Sequence, residues 1–228
     1  MVTLATINAI KFLIAVFASY FPTVAISGFF AAWVAKKFGD HTAEDQGLLT
    51  LNPIEHTRLF GLLVLLMTVM IQLPFIIAFG RQVPINEHYI NGRFRKIKYL
   101  IALWAKPIAN LFLCFVAVFA WVLFWKLIVI PYQVAKNYPA FLSAVQLLYV
   151  VFRQINIVSL MLEFIFGLVF FIMSFIFPQV SEESVFVIFI VQIYLLLLSW
   201  YFIAPYIHYV VMLIETLFSY FLAYLVGF

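Results

Sequence analysis

Between positions 40 and 56 the chain places Asp40, His41, Glu44, Asp45, Glu55 and His56, the side chains most able to bind a metal or move a proton. Imidazole and carboxylate are the ligands of zinc and related divalent ions. His41 and His56 with Asp40 or Asp45 could therefore form a loop metal site. The competing reading is structural, because loop histidines at a membrane surface are commonly solvated or cap backbone. His88 and His208 could in principle bind metal as well, and His208 shares a helix face with Glu215, seven positions away. A second set of polar groups interrupts long apolar runs: Lys106, Asn110, Arg153, Gln154, Asn156 and Glu163. An ionisable group inside a membrane span costs roughly 3 kcal/mol on insertion scales, so it is usually paired or functional. Lys106 and Glu163 carry opposite charge and are expected to pair. The alternative is a snorkelling Lys106 and a Glu163 that is neutral or faces water.

The elements that must position these groups are membrane helices. Of the 228 residues 67% are hydrophobic and only 10% charged, against about 25% charged in soluble domains. Runs of about 20 apolar residues, the length that spans a hydrocarbon core, recur along the chain. This predicts an all-α, polytopic helical bundle forming one membrane-embedded domain, residues 1–228. The first apolar run continues past Phe30 to Lys36 and Lys37, which reads as a retained span rather than a removable signal peptide. Cys114, the single cysteine, can form neither an intrachain disulfide nor a cysteine metal site alone. A net charge of +4, concentrated in one loop, gives no support to nucleic-acid binding.

Helices are predicted over 5–37, 59–79, 98–128, 140–177, 184–203 and 206–226, with Pro205 breaking the last apolar stretch. Six spans are expected. Arg81, Arg93, Arg95, Lys96 and Lys98 crowd the 81–98 connection, which the positive-inside rule makes cytoplasmic. The 38–58 loop then lies on the opposite side, provided that 59–79, which contains Gln72 and Pro74, crosses the membrane. A re-entrant 59–79 would put both loops on one side.

The loop GDHTAEDQGLLTLNPIEH at 39–56, followed by Gly61, resembles a motif of compact bacterial site-2 proteases, the intramembrane zinc metalloproteases. FGRQVPIN at 79–86 and AKPIANL at 105–111 resemble two further segments of that family in the same order, with a fainter continuation through QINIV at 154–158. The resemblance implies a zinc site built from H-E-x-x-H on the helix before the loop, with the glutamate as general base. Set against AAWVAKKFGD, the two histidine positions fall at Ser27 and Ala31 and the glutamate position at Gly28. The family's third ligand, an Asp, would fall near Phe171, and no Asp occurs after Asp45. His41 stands where relatives have Pro, while His56 matches a family position in the structural loop. Asn110 and Asn156 match residues that the resemblance assigns to holding substrate backbone.

No residue at these four positions can ligate zinc or accept a proton, so no cofactor is expected although the family uses zinc. Ser27, Ala31 and Ala35 instead form a row of small residues, with Gly28 and Ala32 beside it. Small residues at this spacing let helices approach closely in lipid. The expected function is that of a catalytically inactive pseudoprotease in the lipid bilayer, a multi-pass protein of a bacterial inner membrane that binds a transmembrane helix or another membrane partner. The rivals are an active metalloprotease with atypical ligands and a small transporter using Lys106, Arg153 and Glu163 along a polar path.

Overall fold

The computed structural model describes residues 4–73 and 75–176, with Tyr209, Met212, Leu213, Thr216, Leu217 and Tyr220 beyond them. The helices predicted at 184–203 and 206–226 and the pair His208 and Glu215 lie outside the continuously described residues. Regular structure in the described part is helical: α1 (Leu4–Lys37), α2 (Thr42–Asp45), α3 (Leu59–Met70), α4 (Arg95–Leu103), α5 (Ala105–Phe124), α6 (Val134–Asn137) and α7 (Pro139–Ile176), with a π turn at Trp125–Val129 extending α5. Among the described residues three helical segments are long and apolar enough to cross a membrane: Thr6–Lys37, Ala105–Val129 and Pro139–Ile172. They pack against one another as a three-helix core.

The buried face of α1 follows directly from its sequence. Ser19, Thr23, Ser27, Ala31 and Ala35 recur every fourth residue and all are buried. Ser19 Oγ donates to Ala15 O, Thr23 Oγ1 to Ser19 O and Ser27 Oγ to Thr23 O, each at 2.7–2.8 Å. Each hydroxyl is therefore satisfied within its own helix, and the face stays narrow enough for close packing. At its C-terminal end Lys36 and Lys37 occupy the last turn, where positive charge complements the helix dipole. Gly39 closes the turn with φ 101°, a left-handed backbone where a side chain would be strained.

The segment expected as a helix over 59–79 is shorter and does not cross. α3 has 12 residues, about 18 Å at the helical rise, well short of a hydrocarbon core of about 30 Å. Gln72 takes a left-handed conformation, φ 57°, and Leu73 N donates to Thr68 O at 3.0 Å, ending the helix. The chain then returns as an extended arm. Phe75 and Ile77 pack on Val158 and Leu162 of α7, whereas Ile76 and Ala78 join the cluster of Val16, Tyr20, Val24 and Leu65. This alternation is the two-residue period of extended backbone, with both faces buried.

The arm ends where the hairpin began. Thr57 and Gly80 form an isolated antiparallel bridge, and Arg81 N donates to His56 O at 2.6 Å. Gly61 permits the close approach of α3 to the arm, since a Cβ there would overlap Phe79 O. The hairpin is re-entrant, so the 38–58 and 81–98 loops share one side, correcting the expectation that they are separated. The predicted 98–128 helix is likewise divided at Trp104 into α4 and α5.

With both loops on one face, that face carries Lys36, Lys37, Arg58, Arg81, Arg93, Arg95, Lys96 and Lys98, while the opposite connection between α5 and α7 carries Lys126 and Lys136. In a Cys114→Ala background, probes at Gln46→Cys and Asn91→Cys should be modified from the same side of the membrane, the cytoplasmic side by the positive-inside rule. Labelling of the two positions from opposite sides would require 59–79 to span after all.

Candidate functional site

The first site element is the 39–56 loop, and several of its polar groups are occupied in holding backbone. Asp40 is fully buried: Oδ1 accepts from Thr42 N at 3.0 Å and from Thr42 Oγ1, and Oδ2 accepts from Asn86 N at 2.6 Å. One carboxylate thus ties the 39–56 loop to the 79–86 segment. Asn91 N donates to Phe38 O at 2.9 Å and adds a second tie. Asn52 Oδ1 accepts from Ile54 N, and Thr57 Oγ1 donates to Pro53 O, closing the Asn52-Pro53 turn. His41 is exposed and pairs with Glu44, as does Lys36. These ion pairs hold the Glu44 carboxyl below its ordinary range. Asp45 shares neither set of contacts.

His56 is fully buried, and its position explains Gly28. Its Nε2 lies 2.7 Å from Thr50 O; a carbonyl only accepts, so Nε2 carries the proton and Nδ1 presents a lone pair. Nδ1 has no hydrogen-bond partner among the described residues and lies against Gly28, where a Cβ would overlap it. The imidazole ring fills the space in which a residue-28 side chain would stand. Burial depresses its pKa below the ordinary histidine range; the Thr50 carbonyl opposes this, and the charges of Lys106 and Arg81 reinforce it. The ring is held neutral.

The second site element joins α5, α7 and the re-entrant arm. Lys106 Nζ lies 3.1 Å from Glu163 Oε1, both side chains being largely buried. Glu163 Oε2 accepts from Asn110 Nδ2 at 2.8 Å, and Lys106 Nζ donates to Arg81 O at 3.2 Å. Asn110 therefore belongs with the ion pair. Asn156 sits apart, on the α1 side of α7: its Nδ2 donates to Thr23 Oγ1 at 3.0 Å and to Phe152 O at 2.8 Å. Both asparagines are fully buried with their amide nitrogens engaged and their Oδ1 atoms without partners among the described residues. Arg153 is separate again, stacked over Tyr149 and donating to its hydroxyl at 3.3 Å.

The positions that the resemblance assigns to metal ligation are packed as a helix contact face. Ser27 is buried with its hydroxyl turned onto its own helix. Ala31 packs with Val34, Ala102 and Ala105, joining α1 to the α4–α5 junction. Phe171 is half-buried on α7 and offers no ligand atom. Among the described residues no three His, Cys, Asp or Glu side chains converge in a way that could hold a metal. Among the described residues, Ser27, Gly28, Ala31 and Phe171 do not fit zinc, which needs three or four such ligands.

Sequence reasoning missed Tyr20, Ser159 and Thr23 as site components. Tyr20 Oη donates to Phe79 O at 2.9 Å and Ser159 Oγ to Ala78 O at 3.3 Å. The signal for Thr23 was available in the four-residue spacing of Ser19, Thr23 and Ser27. Tyr20 and Ser159 carry no comparable pattern, because their acceptors belong to a backbone segment distant in sequence.

Two outcomes test this geometry. Removing one member of a buried ion pair costs about 3–5 kcal/mol because the other is left uncompensated. Lys106→Met and Glu163→Gln should each destabilise the detergent-solubilised protein by this order, and the double variant should lose less than their sum; additive losses in denaturant titrations would show the groups uncoupled. Gly28→Ala should cost about 1–3 kcal/mol by overpacking against His56. Combining it with His56→Ala should cost less than the two single changes added together, a relief that vanishes if the ring does not fill this space.

Comparison with known proteins places this geometry in context. The chain is 39% identical over 94 residues to a Bacillus subtilis protein named "Putative zinc metalloprotease YwhC"; the match covers 40% of this chain and 38% of that protein. The chain therefore spans less than two fifths of the relative's length. No protein-family profile matches the chain, and no solved structure matches it. What the similarity supports is a distant metalloprotease-like relationship for a helical membrane protein.

Proposed function

We propose that this protein is a site-2-protease-like pseudoprotease: it keeps the membrane scaffold, has lost zinc-dependent hydrolysis, and holds a transmembrane helix or another membrane partner without cutting it. The observation that carries the reading is the packing at Ser27, Gly28 and Ala31. At the glutamate position Gly28 has no side chain, and the His56 ring occupies the adjoining volume. At the two histidine positions Ser27 and Ala31 are buried, one bonded to its own helix and the other packed on Ala102 and Ala105. Hydrolysis by a zinc-activated water needs imidazole ligands and an open coordination position. This face supplies neither. The distant similarity to a protein named as a zinc metalloprotease supports the ancestry of the scaffold, and the two loops tied by Asp40 support its retention. The same reading places the protein in a bacterial inner membrane.

A scaffold of this kind can still bind, since close helix packing along a small-residue face requires no catalytic group. The relation of binding to a former protease is an argument by analogy of fold. The protein purified without chelator and freed of any histidine tag should contain well below one zinc per chain. One tightly held zinc that survives dialysis would overturn the pseudoprotease reading in favour of an active enzyme with atypical ligands. Solute flux in liposomes that is abolished by Lys106→Met would instead favour a transporter.

A further inference from the structure

Helix α4 is the most strongly amphipathic of the described helices, yet one of its two apolar faces is exposed and has no partner among the described residues. Tyr99 and Ala102 point inward and are buried, Ala102 against Ala31, Val34 and Ala105. Burial, together with the nearby carboxylates of Glu87 and Asp40, pushes the Tyr99 hydroxyl up to about 12. Phe94, Ile97 and Ile101 are exposed at 62%, 56% and 43%. At about 100° per residue these three lie within roughly 60° of one another, on an arc distinct from the buried face. They form a stripe.

The basic residues around the stripe divide into two kinds. Lys96 Nζ lies 2.7 Å from Glu87 Oε2, and Lys98 Nζ donates to Asn91 O at 2.6 Å while sitting over the Phe38 ring. Both are committed within the chain. Arg93 and Arg95 are exposed and make no hydrogen bond or ion pair to another described residue. Arg93 and Arg95, the chain neighbours of Phe94, therefore bring two exposed guanidinium groups without described partners to the N-terminal end of the apolar stripe.

The depth of α4 is fixed by its neighbours. Its inner face packs on Ala31 and Val34, near the end of a membrane-crossing helix where Trp33 is partly exposed and Lys37 Nζ lies 5.5 Å above its ring. Its C-terminal end passes through Trp104, stacked on Phe164 of α7 at 4.8 Å, directly into the crossing segment that starts at Ala105. Trp with an adjacent cation marks the headgroup level of a bilayer. A helix held there has acyl chains on one side and phosphodiesters on the other.

We propose that α4 is an interfacial anchor for a leaflet containing anionic phospholipids, with Phe94, Ile97 and Ile101 entering the acyl boundary and Arg93 and Arg95 pairing with headgroup phosphates. Charge complementarity selects the occupant: guanidinium recognises phosphate through paired N–H donors, and an anionic leaflet concentrates such groups at this depth. The stripe by itself would suit any apolar surface. The two unpaired arginines beside it suit an anionic one.

The test uses the full chain. After delipidation, retention of phosphatidylglycerol relative to phosphatidylcholine is measured by native mass spectrometry on the parent and on the Arg93→Gln/Arg95→Gln variant. The preference should fall about fivefold for each arginine removed, while Lys126→Gln, at the opposite face, should leave it unchanged. Separately, a fluorophore at Ile97→Cys in the Cys114→Ala background should be quenched by lipids brominated near the headgroup end of the acyl chain. Unchanged phosphatidylglycerol preference in the arginine variant would overturn the proposal. So would an unquenched probe at position 97, which would mean that the stripe is covered by protein.

Discussion

Extended backbone set between apolar helices carries carbonyl and amide groups that lipid cannot satisfy, and non-helical chain survives at membrane depth only where protein supplies the missing partners. The return arm of the re-entrant hairpin meets this constraint through donors from all three crossing helices. Ser159 of α7 reaches Ala78 O, Tyr20 of α1 reaches Phe79 O, and Lys106 of α5 reaches Arg81 O. Each helix is thereby fixed against the same short stretch of chain. The alternating burial of Phe75, Ile76, Ile77 and Ala78 adds apolar packing to both faces of that stretch. Loss of any one donor would leave a buried carbonyl unsatisfied at a cost of about 1–3 kcal/mol.

The ion pair follows from the same requirement. Lys106 bonds Glu163 and the arm carbonyl together, and Glu163 also receives Asn110. Three polar side chains and one backbone carbonyl thus share a low-dielectric site in which the two charges offset each other. Such a cluster does not by itself increase stability, because desolvating two charges is costly; its strongest effect is to penalise arrangements that separate the partners. Here the penalised arrangements are those in which α5, α7 or the hairpin shifts.

At the face that the protease resemblance assigns to metal chemistry, the replacements are mutually consistent. A glycine at position 28 makes room for a neutral, fully buried imidazole, whose orientation is set by the Thr50 carbonyl. Small residues on the same helix receive the start of α5 at close range. The loop beyond keeps its form through Asp40, which binds both Thr42 and Asn86. Scaffold and packing therefore support one another without any metal ligand taking part.

The long apolar runs alone determined that the protein is a helical membrane protein, since an uncharged run of about 20 residues satisfies its own backbone in lipid by forming a helix. The end of the first helix at Lys37 was legible from its paired lysines and the glycine that follows, as were the loop motif and the residues at the ligand positions of the resemblance, because these depend on residue type and short-range spacing. The opposite charges of Lys106 and Glu163 made a pairing readable, but their distance of 3.1 Å depends on how α5 and α7 are set against each other. The sequence left the 59–79 segment open between a crossing helix and a re-entrant hairpin because the two share apolar composition; the pairing of Thr57 with Gly80, and the donors that reach the arm from three helices, distinguish them. Sequence spacing likewise could not show that the His56 ring would lie against Gly28. Contacts between groups far apart in the chain are set by tertiary packing, and it was packing that decided both that the two loops share one side and what fills the helix face at Ser27, Gly28 and Ala31.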